Sequence, residues 1–124
     1  MKVLVVDDFA TMRKIIKNVL KQISIENVLE AENGKHALNI LGGDTVDLII
    51  SDWIMPEMTG IEFLKACKAD DNIKKIPFIM VTAEAQKDNI MEAIKSGVDN
   101  YIVKPFTPDK LREAIDKAKA KVGK

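Results

Sequence analysis

Short apolar segments alternate with amphipathic helical segments along the chain, and this alternation is the feature that most restricts its fold. Each apolar segment is rich in Val and Ile and is too short for a helix, which is typical of strands buried on both faces of a parallel sheet. The segment 28–31 is more polar and predicts a strand at the edge of that sheet. The four apolar segments are 3–6, 48–50, 77–81 and 101–103.

Between these segments, apolar residues recur with helical spacing and predict five helices. In the first helix, the apolar stripe runs from Met12 to Ile23 and includes Ile15. In the fourth helix, Ile90, Ala93 and Ile94 form the stripe. On the first helix, the residues expected to face solvent are Arg13, Lys14, Lys17 and Lys21.

Residues with strong preferences for helix ends flank the helical segments. Asn33, Thr59 and Thr107 are predicted N-caps, and Pro108 falls at the first position of the last helix. Gly97 lies where a left-handed residue is expected to end the fourth helix. These signals fix where three helices begin and where one ends.

Five strands joined by helices are most simply parallel with right-handed crossovers, which places helices on both faces of the sheet. An eight-fold barrel needs about twice the length of this chain of 124 residues. No change in composition marks a boundary between domains. We therefore predict a single α/β domain over residues 1–124, an open doubly wound (βα)5 sheet.

Composition excludes several classes of protein. The 19 Lys and Arg residues balance 19 Asp and Glu residues, whereas a dedicated nucleic-acid binder normally has a basic excess. The one cysteine, Cys67, cannot form an internal disulfide framework and suits a reducing compartment. No apolar run approaches the ~20 residues of a membrane span, and the first residues do not resemble a signal peptide. We therefore expect a cytoplasmic protein that binds neither nucleic acid nor membrane.

Polar residues stand at the ends of the predicted strands, where ligands bind in doubly wound sheets. Because the carboxyl ends of parallel strands meet at one edge, we expect three carboxylates, a hydroxyl and an ammonium to converge there. Asp7 and Asp8 follow the first strand, Asp52 the third, Thr82 the fourth and Lys104 the fifth.

Three clustered carboxylates predict a bound cation. Like charges about 4 Å apart repel by roughly 4 kcal/mol at an effective dielectric constant of 20. Mg²⁺ is the expected ion, because it is satisfied by a few carboxylates with backbone and water oxygens. Zinc is not expected, because no cysteine lies near the cluster and the only histidine, His36, falls on the second helix.

A metal beside a hydroxyl and an ammonium can bind the three oxygens of a phosphoryl group. One carboxylate is then free to act as the nucleophile and form an aspartyl phosphate. Asp52 is the best candidate, because it ends the middle strand and would face the other groups. Phosphoryl transfer depends mainly on charge neutralisation and positioning, so the lack of a catalytic histidine is no objection.

This set of residues resembles the receiver domains of two-component response regulators, and the text around it is similar to the chemotaxis branch of that family. The resemblance covers the whole chain and implies a flavodoxin-like fold with strand order 2-1-3-4-5. The stretches that carry it are VVDDFATMR at 5–13, SDWIMP at 51–56, MVTAEA at 80–85 and VKPFT at 103–107.

The resemblance implies a role for each residue of the set. Asp52 would accept a phosphoryl group from the phosphohistidine of a chemotaxis-type sensor histidine kinase. Thr82 and Lys104 would hold the phosphoryl oxygens, and the Lys104–Pro105 peptide would be cis. The groups implied as Mg²⁺ ligands are the side chains of Asp8 and Asp52 and the backbone carbonyl of Ile54, with Asp7 helping through a bound water.

The resemblance also implies a switch and a set of partners. As Thr82 moves toward the phosphoryl group, the switch residue Tyr101 would turn inward and reshape the surface of the fourth helix, fifth strand and fifth helix. That surface would bind the flagellar motor switch protein, and the protein would act as a monomer. Ile54 replaces the Asn usual in chemotaxis members, so Ile54, together with Glu84, is expected to modulate dephosphorylation and the action of any phosphatase.

Three alternatives stay open. The protein could pass its signal to a non-flagellar effector of a phosphorelay. It could also be a small Mg²⁺-dependent phosphohydrolase, although such enzymes usually carry two Asp residues spaced two apart, whereas Asp7 and Asp8 are adjacent. A flavin carrier would need a phosphate loop rich in Ser, Thr and Gly after the first strand. A turnover enzyme is not the expected function.

Overall fold

Five strands and five helices alternate in the part of the chain that the computed structural model describes, residues 1–122. Residues 123 and 124 of the predicted domain lie outside the described residues. Within that part, no helix is both long and apolar enough to cross a bilayer. In chain order, the elements are β1 (Lys2–Val6), α1 (Ala10–Gln22), β2 (Asn27–Ala31), α2 (Gly34–Gly43), β3 (Leu48–Ser51), α3 (Gly60–Ala69), β4 (Phe78–Thr82), α4 (Lys87–Lys95), β5 (Asn100–Val103) and α5 (Pro108–Val122).

The strands form one parallel sheet in the order β2-β1-β3-β4-β5. The predicted doubly wound, flavodoxin-like fold and its strand order are therefore confirmed. The more polar segment 28–31 lies in β2 at the edge of the sheet, as predicted. In the register, Val6 of β1 pairs with Ala31 of β2 and with Ser51 of β3, so the carboxyl ends of these strands are level.

Successive strand residues point to opposite faces of the sheet, and both faces are buried. Val3 and Val5 pack with α1 and α5 on one face. Leu4 and Val6 pack with α2, α3 and α4 on the other. Burial on both faces explains why the strands read as continuous apolar segments rather than as alternating ones.

The predicted helix ends are confirmed by hydrogen bonds and backbone angles. The Asn33 side chain accepts a backbone N–H at 2.9 Å to cap α2, and Thr59 forms a reciprocal capping box with Glu62 at the start of α3. The Thr107 hydroxyl accepts a backbone N–H at 3.2 Å in the first turn of α5. Gly97 follows α4 with a φ of 101°, a conformation that favours glycine.

Three predictions about helix faces are wrong. Ile15, predicted in the apolar stripe of α1, is 43% exposed. Arg13 of α1 does not face solvent, because its side chain bends toward the end of β1 and is only 12% exposed. On α4, only Ala93 is buried, whereas Ile94 is 59% exposed. Apolar spacing identifies residues that share a face, but α4 packs near the edge of the sheet, where only a narrow strip of the helix is covered.

Candidate functional site

Three carboxylates meet beyond the carboxyl ends of β1 and β3. Asp7 and Asp8 follow β1 directly, and Asp52 follows β3. Each offers an oxygen, and these three oxygens lie within 4.8 Å of one another. Asp7 and Asp52 are buried, while Asp8 is exposed, so the cluster opens to solvent on one side.

The sheet itself brings these side chains together. Because Val6 pairs with Ser51, the residues that follow β1 and β3 are neighbours. The ladder continues one step past the strands, since the Asp52 N–H donates to the Val6 carbonyl at 2.9 Å. The Asp7 N–H likewise donates to the Ala31 carbonyl of β2 at 3.1 Å. The acidic residues are therefore held on rigid backbone rather than on a mobile loop.

Hydrogen bonds fix both oxygens of the Asp52 carboxylate. Its Oδ1 accepts the N–H of Trp53 at 2.7 Å and that of Ile54 at 3.4 Å. Its Oδ2 lies 3.3 Å from the Nζ of Lys104. The Ile54 side chain is 58% exposed. The carboxylate is thus oriented by backbone donors while one oxygen faces the ammonium.

Lys104 also contacts Asp7, so its ammonium bridges the two buried carboxylates. The Lys104 Nζ lies 3.2 Å from the Asp7 Oδ2, and the Asp7 Oδ1 accepts the Phe9 N–H at 2.9 Å. Burial raises the pKa of Asp7, and the Phe9 N–H and the Lys104 charge offset that effect only in part. One ammonium faces three carboxylates, so a formal negative excess remains. Clustered carboxylate oxygens with that excess fit a hard divalent cation such as Mg²⁺.

A close approach of backbone holds the loop that carries Asp52. The Gly60 N–H, at the start of α3, donates to the Trp53 carbonyl at 2.7 Å. A Cβ at Gly60 would meet the Asp52 carbonyl oxygen and would lie 2.6 Å from the Trp53 Cα. No side chain fits at this position, so the glycine allows α3 to begin directly against the acidic loop.

Thr82 and Tyr101 are connected through the backbone of one residue, Glu84. The buried Thr82 hydroxyl accepts the Glu84 N–H at 3.2 Å, and the Tyr101 hydroxyl donates to the Glu84 carbonyl at 2.7 Å. Tyr101 is half-buried, and burial, with the charges of Glu84 and Asp52, raises its pKa to about 12. The Glu84 carboxylate accepts the Gln86 N–H at 2.9 Å. The Lys104–Pro105 peptide is cis.

Sequence reasoning missed one residue at the site, Arg13. Its Nη1 donates to the Asp7 carbonyl oxygen at 2.5 Å, and its Nε donates to the Oε1 of Glu30 at 3.0 Å. The available signal was Glu30, a charged residue inside the strand segment 28–31, which can pair with a cation on a neighbouring helix.

Known proteins resemble this chain in sequence over most of its length. A family model described as "Response regulator receiver domain" matches residues 3–116. The chemotaxis protein CheY of Pseudomonas aeruginosa is 50% identical over 117 residues, which is 94% of each chain. The chemotaxis protein CheY-3 of Vibrio cholerae is 48% identical over 117 residues, covering 94% of this chain and 90% of that protein.

Solved structures agree with the sequence matches. Chemotaxis protein CheY4 of Vibrio cholerae superposes with a TM-score of 0.86 at 35% identity and covers 94% of this chain and 97% of its own. The signal receiver domain of a histidine kinase from Syntrophus aciditrophicus superposes with a TM-score of 0.89 at 27% identity. The match covers 96% of this chain and 89% of that domain's chain. Receiver domains are signalling proteins that bind Mg²⁺ at an acidic pocket. The chain belongs to the family of response regulator receiver domains, and its relatives are of the CheY type.

Proposed function

We propose that this protein is a switch of a two-component system, in which phosphorylation of Asp52 controls the binding of a partner. The observation that carries the proposal is the Lys104 ammonium between the buried carboxylates of Asp7 and Asp52. Because one ammonium does not neutralise three carboxylates, the pocket keeps a negative charge. A bound cation can offset that charge and the charge of a phosphoryl group. The domain is proposed to span residues 1–124 and to act as a cytoplasmic monomer.

The residues of the pocket fit Mg²⁺, and the proposed ligands are Asp7, Asp8, Asp52 and the backbone carbonyl of Ile54. When bound, Mg²⁺ supplies positive charge that neutralises the carboxylates and the phosphoryl oxygens. The Trp53 N–H orients the Asp52 carboxylate, and Lys104 is placed to bind a phosphoryl oxygen. An oxygen of Asp52 forms the new O–P bond as the N–P bond of the donor phosphohistidine breaks, and the imidazole leaves with its electron pair.

The proposed switch uses the connection between Thr82 and Tyr101. When the Thr82 hydroxyl turns to a phosphoryl oxygen, it no longer accepts the Glu84 N–H. The loop between β4 and α4 can then change its conformation. Glu84, whose carbonyl accepts the Tyr101 hydroxyl, would move with it. A local change at the pocket would in this way reach α4 and β5.

The proposed output surface is formed by α4, β5 and α5. A groove of about 450 Å³ between α4 and β5 is lined by residues that include Ile94, Tyr101 and Val103. Exposed apolar side chains beside the switch tyrosine suit a protein partner. The proposed partner is the flagellar motor switch protein, in keeping with the chemotaxis names of the similar proteins. The proposed phosphodonor is a chemotaxis-type sensor histidine kinase.

The test is incubation with Mg²⁺ and acetyl phosphate, followed by mass spectrometry. We expect one phosphoryl group on Asp52 of the native protein and none on Asp52→Asn. The matched control is Asp71→Asn, because Asp71 is an exposed carboxylate outside the cluster and should not affect labelling. Labelling that needs no Mg²⁺, or that persists in Asp52→Asn, would contradict the proposal.

A second measurement tests the output. Binding of a peptide from the flagellar motor switch protein should tighten when the native protein is phosphorylated, and it should not respond in Asp52→Asn. Phosphorylation without any change in binding would favour a non-flagellar effector. Steady release of phosphate from simple esters would instead indicate a phosphohydrolase.

A further inference from the structure

One arginine ties the carboxyl end of β1 to α1 and β2. Arg13 lies on α1, donates from Nη1 to the Asp7 carbonyl at 2.5 Å and donates from Nε to Glu30 of β2 at 3.0 Å. The other Glu30 oxygen is 3.1 Å from the Nζ of Lys17. Because the Arg13 side chain is 12% exposed and its partner is itself held on both oxygens, the guanidinium has a fixed position.

The carbonyl that Arg13 contacts belongs to the peptide that joins Asp7 to Asp8. The orientation of that peptide sets ψ of Asp7 and φ of Asp8, and it therefore contributes to the directions of both acidic side chains. The neighbouring peptide is fixed by the bond from the Asp7 N–H to the Ala31 carbonyl. Arg13 therefore adds a constraint on the next peptide, beyond the contacts that hold the Asp7 carboxylate itself, and a hydrogen bond from a charged donor is stronger than a neutral one.

The geometry points to Arg13 as a positioning residue that orients the Asp7–Asp8 pair for a divalent cation. The inference rests on the proposed function, because it concerns the same metal site. Glu30 supports the role by holding the guanidinium, and its own charge is secure: burial would raise the pKa of Glu30, but the hydrogen bonds from Lys17 and Arg13 lower it overall.

Geometry and charge predict opposite effects of removing Arg13. A guanidinium near the pocket repels a cation, so its loss through charge alone would tighten Mg²⁺ binding. Loss of orientation would weaken it, and groups that orient metal ligands are typically worth about tenfold or more in metal affinity. The sign of the change in affinity therefore decides between the two effects.

The experiment is calorimetric titration of the intact protein with MgCl₂. We expect Arg13→Gln to bind Mg²⁺ about tenfold more weakly than the native protein. Arg13→Lys keeps the charge but lacks the forked guanidinium that contacts two groups at once, so it should also bind more weakly. The matched control is Lys14→Gln, which removes an exposed cation from the same helix without touching Glu30 and should leave the affinity unchanged or slightly tighter.

A second readout separates positioning from general damage to the fold. The rate of labelling by acetyl phosphate in Arg13→Gln should be low at limiting Mg²⁺ and should recover at saturating Mg²⁺. If Arg13→Gln does not fold, Glu30→Ala is used instead. This variant keeps Arg13 but removes the acceptor that holds its guanidinium, and it should also weaken Mg²⁺ binding. Native-like or tighter Mg²⁺ binding in the Arg13 variants overturns this inference alone, whereas a native protein that binds no Mg²⁺ overturns the proposed function as well.

Discussion

Ile54 contacts the site through its backbone, while its side chain is mostly exposed to solvent. Its N–H donates to the Asp52 Oδ1, and its side chain is 58% exposed. A branched apolar group has no donor or acceptor with which to orient a water molecule near a phosphoryl group. Under the proposed function, the residue would therefore help to orient Asp52 without assisting hydrolysis of the aspartyl phosphate.

We predict that Ile54→Asn loses its phosphoryl group faster than the native protein. An added amide could orient the attacking water, and one net hydrogen bond of about 1.4 kcal/mol corresponds to about a tenfold rate change. Decay of the two phosphoproteins in Mg²⁺ measures the difference. The control is Ile94→Asn, which changes an equally exposed isoleucine on α4 and should decay at the native rate. Faster decay of the native protein would refute the prediction.

Burial makes the thiol of Cys67 unreactive. Its side chain is 2% exposed on α3, and burial raises the pKa of the thiol to about 12. Because the thiolate is the reactive form, almost none is present near neutral pH. The cysteine therefore acts as a small apolar residue of the core.

We predict that a thiol reagent at pH 8 does not label the folded protein and labels it fully in denaturant. Absorbance of the released chromophore measures the reaction. A Met91→Cys variant provides the control, because residue 91 is exposed on α4 and its thiol should react at once. Labelling of native Cys67 as fast as that of the control would contradict the assigned burial.

At the scale of elements, the site depends on how tightly α3 begins behind β3. Gly60 is the contact point, since a Cβ there would meet the Asp52 carbonyl and crowd the Trp53 Cα. Gly42, inside α2, has no atom within 4 Å of the corresponding position. The two glycines therefore form a matched pair. Backbone atoms leave no room for a side chain at Gly60, whereas a side chain at Gly42 meets open space.

We predict that Gly60→Ala lowers the free energy of unfolding by about 2 kcal/mol, because backbone atoms must shift to accept the methyl group. Gly42→Ala should be neutral or stabilising by up to about 1 kcal/mol, since alanine is the better helix former. Urea unfolding of both variants measures the changes. Equal stability of the two variants would show that the close approach at Gly60 carries no cost.

The strands and helix ends could be predicted because their causes are local or uniform along the chain. Segment 77–81 is apolar throughout since β4 is buried on both faces, and Asn33 caps α2 with its own side chain. The exposure of Ile94 could not be predicted, because apolar spacing does not tell what covers a helix.

The strand ends also predicted which acidic residues would meet, since parallel strands place their carboxyl ends together. The contact of Arg13 with the Asp7 carbonyl depends on a bend of a long side chain, which no spacing encodes. The connection from Thr82 to Tyr101 depends on the path of the loop around Glu84. Contacts that depend on the path of a loop or on the bend of a long side chain could therefore not be predicted from the sequence.

At the scale of the whole molecule, the two apolar layers stabilise the fold, whereas the acidic edge opposes it. Asp7 is buried beside Asp52, and its pKa lies above its ordinary value of 3.8. The folded state therefore binds this proton more tightly than the unfolded state. The contribution of Asp7 to stability is greatest below pH 3.8 and falls as the pH rises through the raised pKa.

We predict that Asp7→Asn becomes more stable relative to the native protein as the pH rises from about 4 to 7. The amide carries no charge to bury, and its oxygen can still accept the Phe9 N–H. Urea unfolding in EDTA across this range measures the difference in free energy. Asp71→Asn is the control, because its exposed carboxylate should show no such trend. A constant difference between Asp7→Asn and the native protein would exclude a burial cost at Asp7.

The two hydrogen bonds that meet at Glu84 have a further consequence. Its amide and its carbonyl share one pair of backbone torsions, so a rotation that breaks the bond to Thr82 also moves the acceptor of Tyr101. Under the proposed function, the two bonds would therefore change together, which would favour two discrete states of the loop over a graded response.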